Sequence, residues 1–283
     1  MSADDYADNC VVQVERLRKV YRTRSERGRS EVVAVDDVSF QMRHGTSLAI
    51  VGESGSGKTT TARMLLGLEQ PSAGTIRIDG REWTGRRLSA EDRKLRGSTI
   101  QIVFQDPYSS LDPQQTIGAC LDEVLRLHST RTAPQRAERI AELLDQVGLD
   151  TRVRDSRPRR MSGGQRQRVA IARALAAEPK VVVLDEAVAS LDVSIQAQIL
   201  NLLADIRDRT GISYILISHD LAVVRQITDT AIVMRNGTVV EQGPTADILD
   251  HPQHTYTRLL RASIPSPGWK PRRAPSSAPS ASE

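Results

Sequence analysis

The sequence has no long hydrophobic run. The apolar segment at residues 181–184 (VVVL) is closed by Asp185 and Glu186, and no stretch approaches the roughly 18 apolar residues that a bilayer-spanning helix needs. Contact with a membrane would therefore go through a partner. Cysteine is scarce: Cys10 and Cys120 show neither metal-ligand spacing nor a disulfide framework, which suits a reducing cytosol. The opening residues MSADDYADNC are acidic and polar. They lack the basic start and apolar stretch of a secretory signal, so export is not expected. A strong excess of one charge is also missing. The net charge is +4, and the basic clusters at 21–29 and 270–273 sit where apolar residues are few. They read as solvated loops, and no nucleic-acid partner is expected.

What is present is a globular composition. The 283 residues, 39% apolar and 26% charged, suffice for a large α/β domain with a buried core. Apolar patterning places strands at 32–42 and 46–51, the second running into a glycine-rich turn and an amphipathic segment at 58–66. TIRIDG at 75–80 alternates as a strand with one buried face. From about 106 to 160 strand signals vanish. Ile140, Leu143, Leu144 and Val147 recur there at helical spacing, which predicts an inserted helical subdomain over about 106–165. Helix and strand then alternate at 164–177, 181–184, 194–209, 214–218 and 221–227, the pattern of a mainly parallel sheet. Asn236 and Gly237 between two apolar runs predict a hairpin. One last helix is expected over 245–262, with the domain ending near 265. Residues 266–283, rich in Pro, Ser and Ala, read as a disordered tail.

Residues 52–59, GESGSGKT, match the phosphate-binding pattern G-x-x-x-x-G-K-[ST] between a strand and a helix. Gly52, Ser54, Gly55, Ser56 and Gly57 allow backbone N–H groups to converge on phosphate oxygens. Lys58 would reach the β and γ phosphates and the Thr59 hydroxyl would ligate Mg²⁺, with Thr60 next on the helix. VVVLDE ends a buried-type strand with two carboxylates at its C-terminal end, where ligands bind in open α/β sheets. Successive strand side chains point to opposite faces, so the two cannot share a task. Asp185 is assigned to the Mg²⁺ shell and Glu186 to polarising the attacking water as general base.

Residues 161–165 read MSGGQ and continue RQRVAIARAL. In this order with the preceding motifs, the chain resembles the ATP-binding cassette (ABC) family, whose LSGGQ signature opens a helix shortly before the second acidic motif. Met161 replaces the usual Leu, a volume-conserving exchange. The resemblance implies an α/β fold: an ABC-type P-loop domain with a mainly parallel core sheet, an antiparallel β subdomain and an inserted helical subdomain. It implies ATPase activity with ATP and Mg²⁺, and head-to-tail pairing in which Ser162, Gly163, Gly164 and Gln165 serve the nucleotide of a second cassette. By the same resemblance Gln105, in VFQDP, senses Mg²⁺ and the attacking water. His219, in ISHD, is the switch histidine at the γ-phosphate. Asp192, in ASLD where SALD is common, belongs to the dimer-contact loop, and Tyr21 stacks on adenine.

Three stretches narrow the resemblance: the basic segment at 22–33, DEAVASLDVSIQAQILNLL, and GPTADILDHPQHTYTRLLRASIP. They look like the ATPase subunits of dipeptide and oligopeptide importers, relatives of which drive uptake of nickel chelates or glutathione. The ATPase of a soluble phosphonate-cleaving complex is also similar. The importer resemblance implies a related second cassette in a heterodimer, two membrane permease subunits and an extracytoplasmic solute-binding protein. It places the chain peripherally on the cytoplasmic face of the membrane. Relatives often carry a C-terminal cysteine cluster for an iron–sulfur centre; no cysteine follows Cys120, so none is expected here.

Overall fold

The computed structural model describes residues 9–25, 28–85, 88–106, 110–189 and 191–262. The tail expected at 266–283 and the basic cluster at 270–273 lie outside the described residues.

The chain opens with a long hairpin of β1 (Cys10–Ser25) and β2 (Gly28–Arg43). Its register sets Tyr21 opposite Val32, Arg22 opposite Glu31 and Ser25 opposite Gly28. This corrects the reading of residues 21–29 as loop at 21–25 and 28–29; residues 26 and 27 lie outside the described residues. A strand that runs beyond the core needs only its backbone ladder, so it carries little apolar signal. Across the pair, Arg22 meets Glu31 at 2.9 Å. With β4 (Ala73–Ile78) and β5 (Arg81–Glu82), the hairpin forms a four-stranded antiparallel sheet in the order β2-β1-β4-β5.

The second sheet contains β3 (Ser47–Val51), β6 (Ile100–Phe104), β7 (Val181–Asp185), β8 (Ser213–Ile217), β9 (Thr230–Arg235) and β10 (Thr238–Pro244), in the order β10-β9-β3-β8-β7-β6. Its pairings are parallel except β9 with β10. Alternation along β3 shows how it joins two cores. Leu48 and Ile50 pack with Phe40, Met42, Ile76 and Ile78 on the antiparallel-sheet side, whereas Ala49 and Val51 pack with Ile171, Leu203 and Ile206 on the helical side.

Helix α1 (Lys58–Leu66) follows β3. Helix α2 (Ala90–Thr99), capped by reciprocal Ser89 and Asp92 hydrogen bonds, leads into β6. Neither α2 nor β6 was read from the apolar pattern. Between β6 and α5 (Gly163–Leu175) lie α3 (Ile117–His128), α4 (Ala133–Gln146) and two 3₁₀ turns, Thr151–Asp155 and Pro158–Arg160. Then come α6 (Val193–Thr210) and α7 (Leu221–Ile227). The last expected helix is two, α8 (Thr245–Asp250) and α9 (Thr255–Ala262). Pro252 explains the break, since proline disfavours helix in the residue before it. Among the described residues no helix is long and apolar enough to cross a membrane.

The start of β3, and with it the loop that follows, is pinned from α6 and β9. The N–H of Ser47, which has 0% of its surface exposed, donates to Asp229 Oδ2 at 2.8 Å, and Arg207 donates to both Ser47 Oγ (2.6 Å) and Asp229 Oδ2 (3.0 Å). Asp229→Ala leaves a buried N–H unpaired and should cost about 1–3 kcal/mol, read as a lowered urea midpoint.

Candidate active site

Four adjacent strands, β3, β8, β7 and β6, end side by side, and each hands over one motif. Gly52 follows β3, His219 lies just beyond β8, Asp185 and Glu186 close β7, and Gln105 follows β6. This carboxyl edge is where open α/β sheets bind ligands. A cleft of about 450 Å³ lies over it, lined by Ser54, Gly55, Gly57, Lys58, Thr59 and Thr60 together with Glu186 and His219. Tyr21, Val32 and Ala34 complete the lining.

Residues 52–57 turn the chain from β3 into α1. Gly52 has φ 149° and Gly57 φ 105°, conformations that favour glycine. A Cβ at Gly52 would collide with the Met234 carbonyl, and one at Gly57 would lie 2.6 Å from Ala34 O. Gly52 and Ser56 therefore form the underside of the loop, away from the cleft lining. There the buried Ser56 Oγ has no hydrogen-bond partner, and Ser56 O accepts from Gly237 N at 3.0 Å. The first N–H groups of α1 lack intrahelical partners and carry the positive end of the helix dipole, a natural anion seat.

Lys58 is 7% exposed. Its ammonium donates to Gly52 O and Glu53 O, both at 2.7 Å. Burial lowers its pKa, opposed by the negative charges of Glu186, Asp185 and Glu53. For Asp185, burial and then the neighbouring Glu186 raise the pKa, against the pull of Arg63 and Lys58. A carboxylate in that position favours a cation. Among the described residues no three His, Cys, Asp or Glu side chains cluster as a metal cage. Mg²⁺ takes one or two protein ligands and completes its shell with phosphate and water. Asp185 and Thr59 suit that role.

Glu186 separates from Asp185 differently from the strand pleat the sequence suggested. The strand ends at Asp185 and Glu186 turns into a left-handed conformation, φ 49°, with its N–H donating to Ile217 O at 3.0 Å. The turn brings its Oε1 to 3.1 Å from His219 Nδ1. Gln105 is exposed and does not line the cleft.

Ser162, Gly163, Gly164 and Gln165 are not in this cleft. They open α5, where Ser162 N donates to Gln165 Oε1 (3.0 Å) and Gln165 N to Ser162 Oγ (3.3 Å), leaving a rigid helix N-terminus exposed. Asp192, before α6, is exposed as well. In the cleft lining, Tyr21 is held by Lys19, whose ammonium lies 5.0 Å from the ring centroid and donates to Gln70 O (2.7 Å) and pairs with Glu69 (2.9 Å). The hydrogen bond from Lys19 keeps Glu69 below the usual carboxylate range.

Sequence reasoning missed Val32, Ala34, Lys19, the Met234–Gly237 underside and Tyr256, whose hydroxyl accepts from Glu53 N at 3.0 Å. The hairpin signal at 236–237 marked the turn but gave no hint of what it supports.

The sequence pattern of the family described as ABC transporter matches residues 35–189. This chain belongs to the ABC transporter family. A second pattern, described as Oligopeptide/dipeptide transporter, C-terminal region, matches residues 240–283 of this cassette. The dipeptide transport ATP-binding protein DppF of Haemophilus influenzae is 46% identical over 235 residues, 83% of this chain and 71% of the relative. The glutathione import ATP-binding protein GsiA of Salmonella paratyphi A is 46% identical over 258 residues, 90% of this chain but only 41% of that longer relative. Among solved structures, a dimeric post-hydrolysis state of the ATP-binding cassette MJ0796 with ADP and Pi superposes with a TM-score of 0.71. It is 29% identical, with 83% of this chain and 98% of that one covered. The cassette is thus an ATP-binding, ATP-hydrolysing subunit of a transporter, and the importer names match the resemblance drawn from its C-terminal sequence.

The raised pKa of Asp185 carries a sign for stability. Its protonated form is favoured by the fold, so this contribution is present below the ordinary value of 3.8 and is lost as pH rises through the folded-state pKa. At pH 7 the ionised group is a cost. Asp185→Asn is therefore expected to raise the urea midpoint of the nucleotide-free cassette at pH 7, with the gain vanishing in acid below about pH 3.8.

Proposed function

We propose that this cassette powers the import of di- or oligopeptides by binding and hydrolysing ATP at the carboxyl edge of its parallel sheet. The observation that carries the catalytic part is the meeting of the phosphate loop, Glu186 and His219 in one cleft. The cargo rests on similarity to the dipeptide transport relative and on the C-terminal pattern. Glutathione is a second reading, favoured by the equally identical GsiA.

In this proposal Lys58 and the N-terminus of α1 hold the β and γ phosphates, and Tyr21 takes the adenine. Mg²⁺ would be held by Thr59 and Asp185 and would supply charge neutralisation on the phosphates; Gln105, outside the lining of the cleft, is assigned to sensing the ion and the attacking water. Glu186 accepts the proton of the attacking water, and His219, in contact with its carboxylate, holds it in place toward the γ-phosphate. Because Ser162, Gly163, Gly164, Gln165 and Asp192 lie outside this cleft, they are assigned to the nucleotide of a second cassette. ATP binding then closes the pair and hydrolysis releases it. The second cassette is a related chain in a heterodimer. Two permease subunits and an extracytoplasmic solute-binding protein complete the assembly, with the cassette on the cytoplasmic face.

Glu186→Gln keeps shape and hydrogen bonding but removes the base. In the assembled transporter it is expected to lower ATP turnover at this site by about 10²–10⁴-fold while ATP binding persists; undiminished turnover would refute the assignment.

A further inference from the structure

Glu53 faces two ways. Its backbone carbonyl accepts from Lys58 Nζ at 2.7 Å, and its backbone N–H donates to the Tyr256 hydroxyl at 3.0 Å, across 203 positions of sequence. One peptide residue therefore joins the phosphate-loop lysine to helix α9.

The hydroxyl is firmly placed. Tyr256 is 3% exposed, and the Arg235 guanidinium lies 4.9 Å from its ring centroid. The two residues leading into α9 are fixed by Glu241, whose carboxylate accepts from Gln253 N (2.7 Å) and His254 N (3.2 Å). Arg235 ends β9 and Glu241 lies in β10. These are the strands of the hairpin whose Gly237 N–H donates to Ser56 O at the other end of the loop. The two ends of the phosphate loop thus rest on one support, the β9–β10 hairpin with α9 docked on it.

We infer that Tyr256 is a positioning residue for phosphate binding: its hydroxyl anchors the Gly52–Glu53 peptide, and through the Gly52 carbonyl of that peptide it sets the place of the Lys58 ammonium. The inference rests on reading residues 52–59 as the phosphate loop. It gives the C-terminal region matched at 240–283 a part in the nucleotide site. Without the hydroxyl the Glu53 N–H loses its acceptor, the Gly52–Glu53 peptide is free to rotate, and the Gly52 carbonyl, one of the two that hold Lys58, moves with it.

The test is Tyr256→Phe in the full chain, which keeps the ring and removes the oxygen. Affinity is measured for Mg·ATP and for inorganic tripolyphosphate, beside the urea midpoint. Loss of one such hydrogen bond is expected to weaken both ligands equally, by about three- to ten-fold, because only the phosphate end is disturbed. In the assembled transporter KM for ATP should rise by the same factor, with a smaller change in kcat. Wild-type affinity for both ligands overturns the inference, as does a loss confined to ATP. A lowered urea midpoint with both affinities intact also overturns it, reducing Tyr256 to a packing residue. Should Tyr256→Phe fail to fold, hydrogen exchange of the wild-type Glu53 amide decides: protection supports the anchor, and exchange at the rate of an open loop refutes it. If the wild-type chain binds neither ligand, the phosphate-loop reading itself fails. Wild-type binding with an unaffected variant removes only the role of Tyr256.

Discussion

The phosphate loop depends on where its backbone polar groups find partners. For its N–H groups to face a ligand, its carbonyls must be satisfied on the other side. Lys58 takes those of Gly52 and Glu53, and Gly237 takes that of Ser56. Met234 and Ala34 approach so closely that only glycine fits at 52 and 57. The loop is thereby a rigid seat. Its supports come from β2, shortly before it in the chain, and from the β9–β10 hairpin, about 180 residues further on, which meet beneath it only in the folded chain.

This explains which parts were legible. Residues 52–59 could be read because phosphate chemistry demands those residue types at that spacing, and the Asp185–Glu186 pair because a buried strand announces its own end. The supports were not legible. Met234 acts through a backbone carbonyl, Gly237 through a backbone N–H and Tyr256 through a single hydroxyl, each far from the loop in sequence, as with Glu53 to Tyr256 at a separation of 203. No local pattern encodes such contacts. Strand β6 was hidden because its five residues, IQIVF, lie between a helix and the glutamine segment without turn signals. The outer part of the β1–β2 hairpin was hidden because strands beyond the core need no apolar residues.

The same geometry separates what the motifs seemed to unite. Read along the sequence, the signature and the acidic pair stand close together. In the fold, Glu186 enters the cleft while Ser162 and its helix N-terminus present themselves elsewhere. On the proposed reading, a seat with Glu186 but without the signature is half of a site, and the cap of α5 is half of another. Asp185 shows the accompanying cost: burial beside Glu186 disfavours its charge, a local instability that fits a position meant to face a cation.

The central claim is that ATP sits on this loop and is enclosed by a second cassette. Its most direct test is the structure of the assembled transporter carrying Glu186→Gln, determined with ATP and Mg²⁺. The account predicts the triphosphate on residues 52–59, adenine against Tyr21, and the γ-phosphate in contact with a signature from the other cassette. Nucleotide bound elsewhere, or a γ-phosphate contacted by Ser162 and Gly163 of the same chain, would contradict it.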